Sequence, residues 1–364
     1  MTWAQVRAFR ARRHFLDARA PAGSLVAVVA RLSGLHAQLL SSAELSAWAR
    51  IEHLGAGEVT KALFRDRTLV KTWAMRGTLH LLPAGEYPLW QAALGTYRHF
   101  LKPGWLRAFG VTVEDHARLA EAIGQALEGR ALTRAELAAE VFRRTGAKRL
   151  RELVLQSWGS MLKPAAYQGR LCFAESQGQN VRFMRPDRWL RRRAQPEQAL
   201  RELTRRYLAA HGPATREDFG RWWGVGSARA RDLLIASGAE QSDGYWLLPE
   251  DIPALQRSQP PRNVRLLPAF DPYVIAASLH AERLMPGAFR ARIYRSQGWI
   301  SPVLLVAGTM AGVWRAERKG RSLEVRIEPF APLPAWARKA ALDESGDLAR
   351  FFGGALRVQV AGAG

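Results

Sequence analysis

Thr215-Arg-Glu-Asp-Phe-Gly-Arg-Trp-Trp-Gly-Val-Gly-Ser227 is the stretch from which the rest of the chain can be read. Thr215 is a residue type that caps a helix start by accepting from its free N–H groups, and Gly224-Val-Gly226 supplies the turn before a further helical run, Ser227 to Ser237. A helical run from Pro196 to Ala210 precedes it, and the strand-like Gly244-Tyr-Trp-Leu-Leu-Pro249 follows. Three helices closed by a strand pair is the layout of a winged helix-turn-helix.

The same layout is predicted twice more towards the N-terminus. Helices near Ser24 to Leu32, Ser42 to Arg50 and Gly57 to Arg67 lead to strands Leu69 to Ala74 and Thr78 to Leu82, joined across Met75-Arg76-Gly77. Helices near Glu114 to Glu128, Thr133 to Arg144 and Lys148 to Met161 lead to Arg170 to Phe173 and Val181 to Met184, and Thr133 with Glu136 forms a capping box. After Pro260-Pro261 the pattern changes to short strands, Val264 to Leu267, Val303 to Val306, Met310 to Arg315 and Leu323 to Ile327. A helix near Ala335 to Phe352 and a last strand Leu356 to Val360 complete it. Short strands with glycine-containing turns predict a small barrel or strongly curved sheet. The expected architecture is therefore α+β, three tandem winged helices and a C-terminal β-barrel. Its boundaries are 1–110, 111–190, 191–258 and 259–364.

The formal charge of +22 on 364 residues points to a polyanionic partner, with nucleic acid ahead of an anionic membrane because no long amphipathic basic helix stands out. Only seven of the 54 basic residues are lysine, and arginine's planar fork suits phosphate and base edges. The basic residues run from Arg7 to Arg357 without a low-complexity tail, which favours a folded binding surface. With 48% hydrophobic residues and 13 tryptophans the chain can bury a large core. The longest early apolar run, Leu25 to Ala30, is too short for a signal or a membrane span, so a cytoplasmic, nucleoid-associated location is expected. The single cysteine, Cys172, excludes an internal disulfide and a thiolate cluster and reads as a buried structural thiol.

In a winged helix the third helix enters the major groove and the wing meets backbone or minor groove. That places Lys148, Arg149 and Arg151 of the second copy, and Arg229 and Arg231 of the third, as candidate DNA-binding residues. The basic linker carrying Arg191, Arg192 and Arg193 is a further candidate, as are Arg318, Lys319 and Arg321 in a turn between two C-terminal strands. Phosphate-loop and dinucleotide fingerprints are absent, as are His-Glu-x2-His and paired His/Asp clusters, so neither a cofactor nor a metal is expected. One short element carries chemistry. If the segment around His36-Ala37-Gln38 leaves its helix extended, the side chains at i and i+2 face one side, and His36 and Gln38 can hold one water between them. Capping and packing are the competing roles. Asp271, Arg76 and His80 are candidate cleft residues, although a turn-forming role for Asp271 before Pro272 is the stronger reading.

The chain resembles the AlkZ-like family of tandem winged-helix DNA glycosylases over nearly its full length. The resemblance is carried by Gly34-Leu-His-Ala-Gln38, Trp73-Ala-Met-Arg-Gly-Thr-Leu-His-Leu-Leu82, Leu267-Pro-Ala-Phe-Asp-Pro-Tyr273, Gly298-Trp-Ile-Ser-Pro-Val-Leu-Leu-Val-Ala-Gly308 and Gly312-Val-Trp-Arg315. It implies a C-shaped protein clasping duplex DNA, with a catalytic Gln-apolar-Gln element near the end of an early helix. Gln38 matches the second glutamine, while His36 stands where the first is commonest. The resulting expectation is a monofunctional, metal-independent glycosylase acting as a monomer on double-stranded DNA with alkylated purines, bulky adducts or interstrand crosslinks. A non-catalytic regulator or damage-recognition protein of the same architecture is the alternative.

Overall fold

The computed structural model describes residues 1–156, 159–190, 194–285 and 287–361. In chain order the first elements are α1 (Trp3–Arg13), α2 (Leu25–Arg31), β1 (Leu35–His36), α3 (Leu40–Trp48) and α4 (Glu58–Phe64). A hairpin of β2 (Leu69–Trp73) and β3 (Leu79–Pro83) follows, then α5 (Tyr87–Leu94), α6 (Pro103–Phe109), α7 (Val113–Ala126), β4 (Leu132–Thr133), α8 (Arg134–Thr145), α9 (Lys148–Leu155) and α10 (Lys163–Tyr167). A second hairpin is formed by β5 (Cys172–Gln177) and β6 (Asn180–Met184). After it come α11 (Pro196–His211), α12 (Arg216–Trp223), α13 (Ser227–Ala236), β7 (Glu240–Ser242), β8 (Tyr245–Leu247) and α14 (Ile252–Gln256). The C-terminal part holds β9 (Val264–Leu267), α15 (Pro272–Ala276), α16 (Arg290–Ile293), β10 (Val303–Val306), β11 (Thr309–Lys319), β12 (Ser322–Pro329), α17 (Ala335–Phe351) and β13 (Ala355–Val360). The fold is mixed α+β. Two compact units emerge, one of residues 1–59 with 204–364 and the other of residues 60–203.

Local chemistry accounts for the helix starts. Thr133 and Thr215 each accept from the backbone N–H three residues on, while Glu136 and Asp218 reach back to the cap, so both predicted starts form capping boxes. In the unit of residues 60–203, Trp73 of β2 meets Phe173 of β5 edge-on at 4.8 Å, and Phe173 meets Phe183 of β6 at 5.2 Å. Those rings form one core beneath both hairpins. The predicted helix Lys148 to Met161 ends early, at Leu155. Gly159 takes φ +64, and a Cβ there would lie 2.7 Å from the Trp73 ring, so this position next to the core suits glycine alone.

In the other unit, Val6 and Phe9 of α1 pack on Leu247 and Leu255 in a buried cluster. The C-terminal strands form one five-stranded sheet in the order β13-β12-β11-β10-β9. Where a barrel was expected, no closed barrel forms among the described residues, and the strand order is that of an open sheet. β13 returns parallel to β12 after α17, which adds a strand outside β12 and leaves β9 and β13 as the two edges. Helix α17 packs on β9, β12 and β13, covering apolar surface that a barrel would bury inside itself. β11 and β12 pair over eight residues each, from Gly312↔Pro329 to Lys319↔Ser322, and the last five residues of β11 are exposed. The hairpin tip is thus a long basic arm.

Candidate functional site

Helix α2 ends where Ser33 and Gly34 adopt positive φ, with the Gly34 N–H donating to the Val29 carbonyl at 2.9 Å. Gly34, at φ +94, makes this exit cheap, and the chain runs extended through Leu35–His36 before bending into α3. The predicted departure from the helix into extended form is therefore present, but it is short. His36 is buried, with 6% of its surface exposed, whereas Gln38 lies in the bend before α3 and is exposed.

The His36 ring stacks on Phe270, with centroids 5.0 Å apart and planes 23° from parallel. Phe270 takes φ +58, which a bulky side chain adopts only under constraint. Asp271 supplies the constraint. Its carboxylate accepts from Nη1 and Nη2 of Arg50, each at 2.7 Å, from Ser46 Oγ at 3.3 Å and from the Tyr273 backbone N–H at 2.9 Å. Arg50 in turn donates to the Ser46 carbonyl at 2.9 Å, and both members of the pair are completely buried. The network ties the end of α3 to the start of α15 and fixes Phe270 between them. Asp271 is a helix cap and a buried counterion, and its carboxylate does not reach solvent as a cleft residue would.

The remaining sequence candidates among the described residues fall in four places. Arg76 and His80 belong to the unit of residues 60–203, Arg76 exposed at φ +57 in the β2–β3 connection and His80 buried with Nδ1 3.1 Å from the Thr78 carbonyl oxygen. Lys148, Arg149 and Arg151 are exposed at the start of α9, where Arg149 donates to the Phe109 carbonyl at 2.8 Å. Arg229 and Arg231 are exposed on α13, and Arg318, Lys319 and Arg321 on the hairpin arm. The Lys319 ammonium lies 2.6 Å from Glu324, which raises its pKa and offsets part of the arm's charge. Arg191, Arg192 and Arg193 lie outside the described residues.

Cys172 is fully buried, and burial pushes its thiol well above the ordinary range, as a structural cysteine requires. Among the described residues no group of three or more His, Cys, Asp or Glu side chains is placed to hold a metal, and no helix is long and apolar enough to cross a membrane. Cavities of about 890 and 530 Å³ occur, and neither is lined by His36 or Gln38. The residues around His36 that sequence reasoning missed are Arg50 and Phe270's constrained backbone.

The extended element between two helices thus brings a buried histidine stacked on an aromatic ring and an exposed glutamine two residues on. The family described as DNA glycosylase AlkZ-like matches residues 29–351, and the chain belongs to that family. It is a DNA glycosylase, a hydrolase of N-glycosidic bonds, which settles the choice between an enzyme and a non-catalytic binder. An interstrand DNA cross-link repair glycosylase of Streptomyces sahachiroi is 33% identical over 366 residues, covering 97% of each chain. The solved structure of the Streptomyces sahachiroi DNA glycosylase AlkZ superposes with a TM-score of 0.87 at 33% identity, covering 99% of this chain and 100% of that one.

Proposed function

We propose that this chain is a monofunctional glycosylase for alkylated purines in double-stranded DNA, and that His36 and Gln38 hold the attacking water. N7- and N3-alkylated purines already carry positive charge and leave readily. Hydrolysis then needs a held water and stabilisation of the oxocarbenium ion more than a strong general acid. The Gln38 side-chain carbonyl accepts one water hydrogen and a His36 ring nitrogen accepts the other. The water oxygen bonds to C1′, the C1′–N bond breaks with its electron pair going to the purine, and the base departs neutral. The water's proton passes to His36 and on to solvent.

The observation that carries this reading is His36, seated on Phe270 at 5.0 Å, beside an exposed Gln38, in a chain whose relative over 97% of its length is a cross-link repair glycosylase. Recognition of bulky adducts and crosslinks in place fits this reading, because such lesions are hard to rotate into a snug pocket, and Gln38 is exposed at the site. The three helix-and-hairpin segments, 1–110, 111–190 and 191–258, act on this reading as winged helix-turn-helix modules, with 259–364 as a C-terminal sheet domain. Exposed Lys148, Arg149, Arg151, Arg229, Arg231, Arg318, Lys319 and Arg321, with Arg191, Arg192 and Arg193, contact phosphates. The enzyme works as a monomer without metal or cofactor, in the cytoplasm at the nucleoid.

The test is product analysis on alkylated duplex DNA in EDTA. Free 7-methylguanine and an intact abasic strand are expected, no borohydride-trapped adduct should form, and a nitrogen-mustard crosslink should be unhooked. A trapped adduct would instead require an amine nucleophile, and release that depends on added magnesium would require a metal.

A further inference from the structure

We propose that Trp299 is the stacking platform for the cationic nucleobase, the outer ring of an aromatic ladder His36–Phe270–Trp299. The proposal rests on the glycosylase reading above and adds a specificity determinant to it. Trp299 is 43% exposed, while every other tryptophan among the described residues is buried or half-buried. Its centroid lies 5.0 Å from that of Phe270, edge to face at 76°, and Phe270 stacks on His36 at the same separation. A continuous line of rings therefore runs from the buried histidine to solvent.

The platform is built rather than loose. Arg295 N–H donates to the Trp299 carbonyl at 2.9 Å, Trp299 N–H to the Ser296 carbonyl at 3.2 Å and Ser301 N–H to the Ile293 carbonyl at 2.9 Å. Tyr294 and Ile300 form a bridge that closes this turn from outside. Gln297 at its apex and Phe270 beneath it both hold positive φ, so two side chains adopt unfavourable backbone conformations around one exposed ring.

Tryptophan presents the most favourable aromatic face for a cation, and an alkylated purine is a planar cation. Bound before cleavage, such a base gains both stacking and cation–π attraction on Trp299. Once the glycosidic bond breaks the base is neutral, the charge-dependent part of that attraction is lost, and release is favoured. Unmodified guanine gains stacking alone, so the ring discriminates by charge.

Binding decides the matter without relying on turnover. The probe is a duplex carrying one 2′-fluoro-7-methyldeoxyguanosine, which is cationic and resists cleavage, compared with the same duplex carrying deoxyguanosine. Full-length protein should prefer the cationic duplex, Trp299→Ala should reduce that preference tenfold or more, losing far more affinity for the cationic duplex than for the unmodified one, and Trp299→Phe should keep most of it. Tryptophan fluorescence should be quenched by the cationic duplex in the parent protein and not in Trp299→Phe. An undiminished preference in Trp299→Ala, equal losses on both duplexes, or no preference in the parent would each overturn the proposal. Failure of the parent to release 7-methylguanine would count against the glycosylase reading and leave this binding result to stand separately.

Discussion

Asp271→Ala should be the most destabilising polar substitution near the site. It strips the Arg50 guanidinium of both 2.7 Å bonds while leaving the side chain where no solvent reaches it. Removing one partner of a buried pair costs about 3–5 kcal/mol, because the other charge stays buried without compensation. Loss of the cap on the Tyr273 N–H adds about 1 kcal/mol. Against a total stability on the order of 5–15 kcal/mol, that is about a quarter or more of the margin. The comparison that isolates the cause is the double substitution Arg50→Met with Asp271→Leu, which removes both charges and fills similar volume. It should recover most of the loss, since apolar replacement of a buried pair is often neutral or better. Urea unfolding followed by fluorescence reads both, and linear extrapolation converts midpoints into free energies. A loss below about 1 kcal/mol for Asp271→Ala, or a double variant no better than the single, would refute the argument that an uncompensated charge is responsible.

Three further expectations follow from the same structure. Burial, reinforced by His211, Arg50 and Arg10, holds the His14 pKa well below 6.5, so His14 contributes stability that is full above about pH 6.5 and lost as pH falls towards its folded pKa. His14→Phe, which keeps the edge contacts with His211 and Tyr273, should flatten urea midpoints between pH 6.5 and 5 by up to about 1.4 kcal/mol per pH unit; an unchanged slope would contradict it. Replacing Arg318 and Arg321 on the hairpin arm by alanine should weaken binding to all duplex sequences alike and reduce the log–log salt slope by up to about 2, and a sequence-selective loss would argue against phosphate contact. Gly312→Ala would put a Cβ 2.6 Å from the Glu328 carbonyl oxygen and 2.8 Å from Pro329 Cα, both backbone atoms, so a cost of about 1–3 kcal/mol and a lower thermal midpoint are expected.

Much of this architecture was legible because it is local. Thr133 with Glu136, Thr215 before α12 and the glycines around Val225 mark helix ends within a few residues, and the strands β9 and β10 coincide with the predicted runs. The elements that escaped depend on distant partners. Helix α1 interleaves four arginines with its apolar residues, and its burial comes from Leu247 and Leu255, far along the chain. The close approach of Gly159 to the Trp73 ring depends on a distant partner, and the sheet's order on where α17 packs. At the site, the extended Leu35–His36 was readable from Gly34 and its neighbours. Its stacking on Phe270, and the Arg50–Asp271 pair that holds Phe270, were not, because a buried arginine in sequence looks like any other basic residue. Asp271 itself shows the limit: the Asp-Pro pair indicated a turn, while the counterion role required Arg50 to be seen beside it.

The most direct test of the water-holding pair is single-turnover release of 7-methylguanine from methylated duplex DNA in EDTA by the parent protein, His36→Ala and Gln38→Ala, with duplex affinity measured in parallel. The account predicts rates reduced by about 100-fold or more in each variant, in the range for loss of one positioned catalytic group, with affinity retained. Release at the parental rate by either variant, with its affinity intact, would contradict the assignment of that residue to the attacking water.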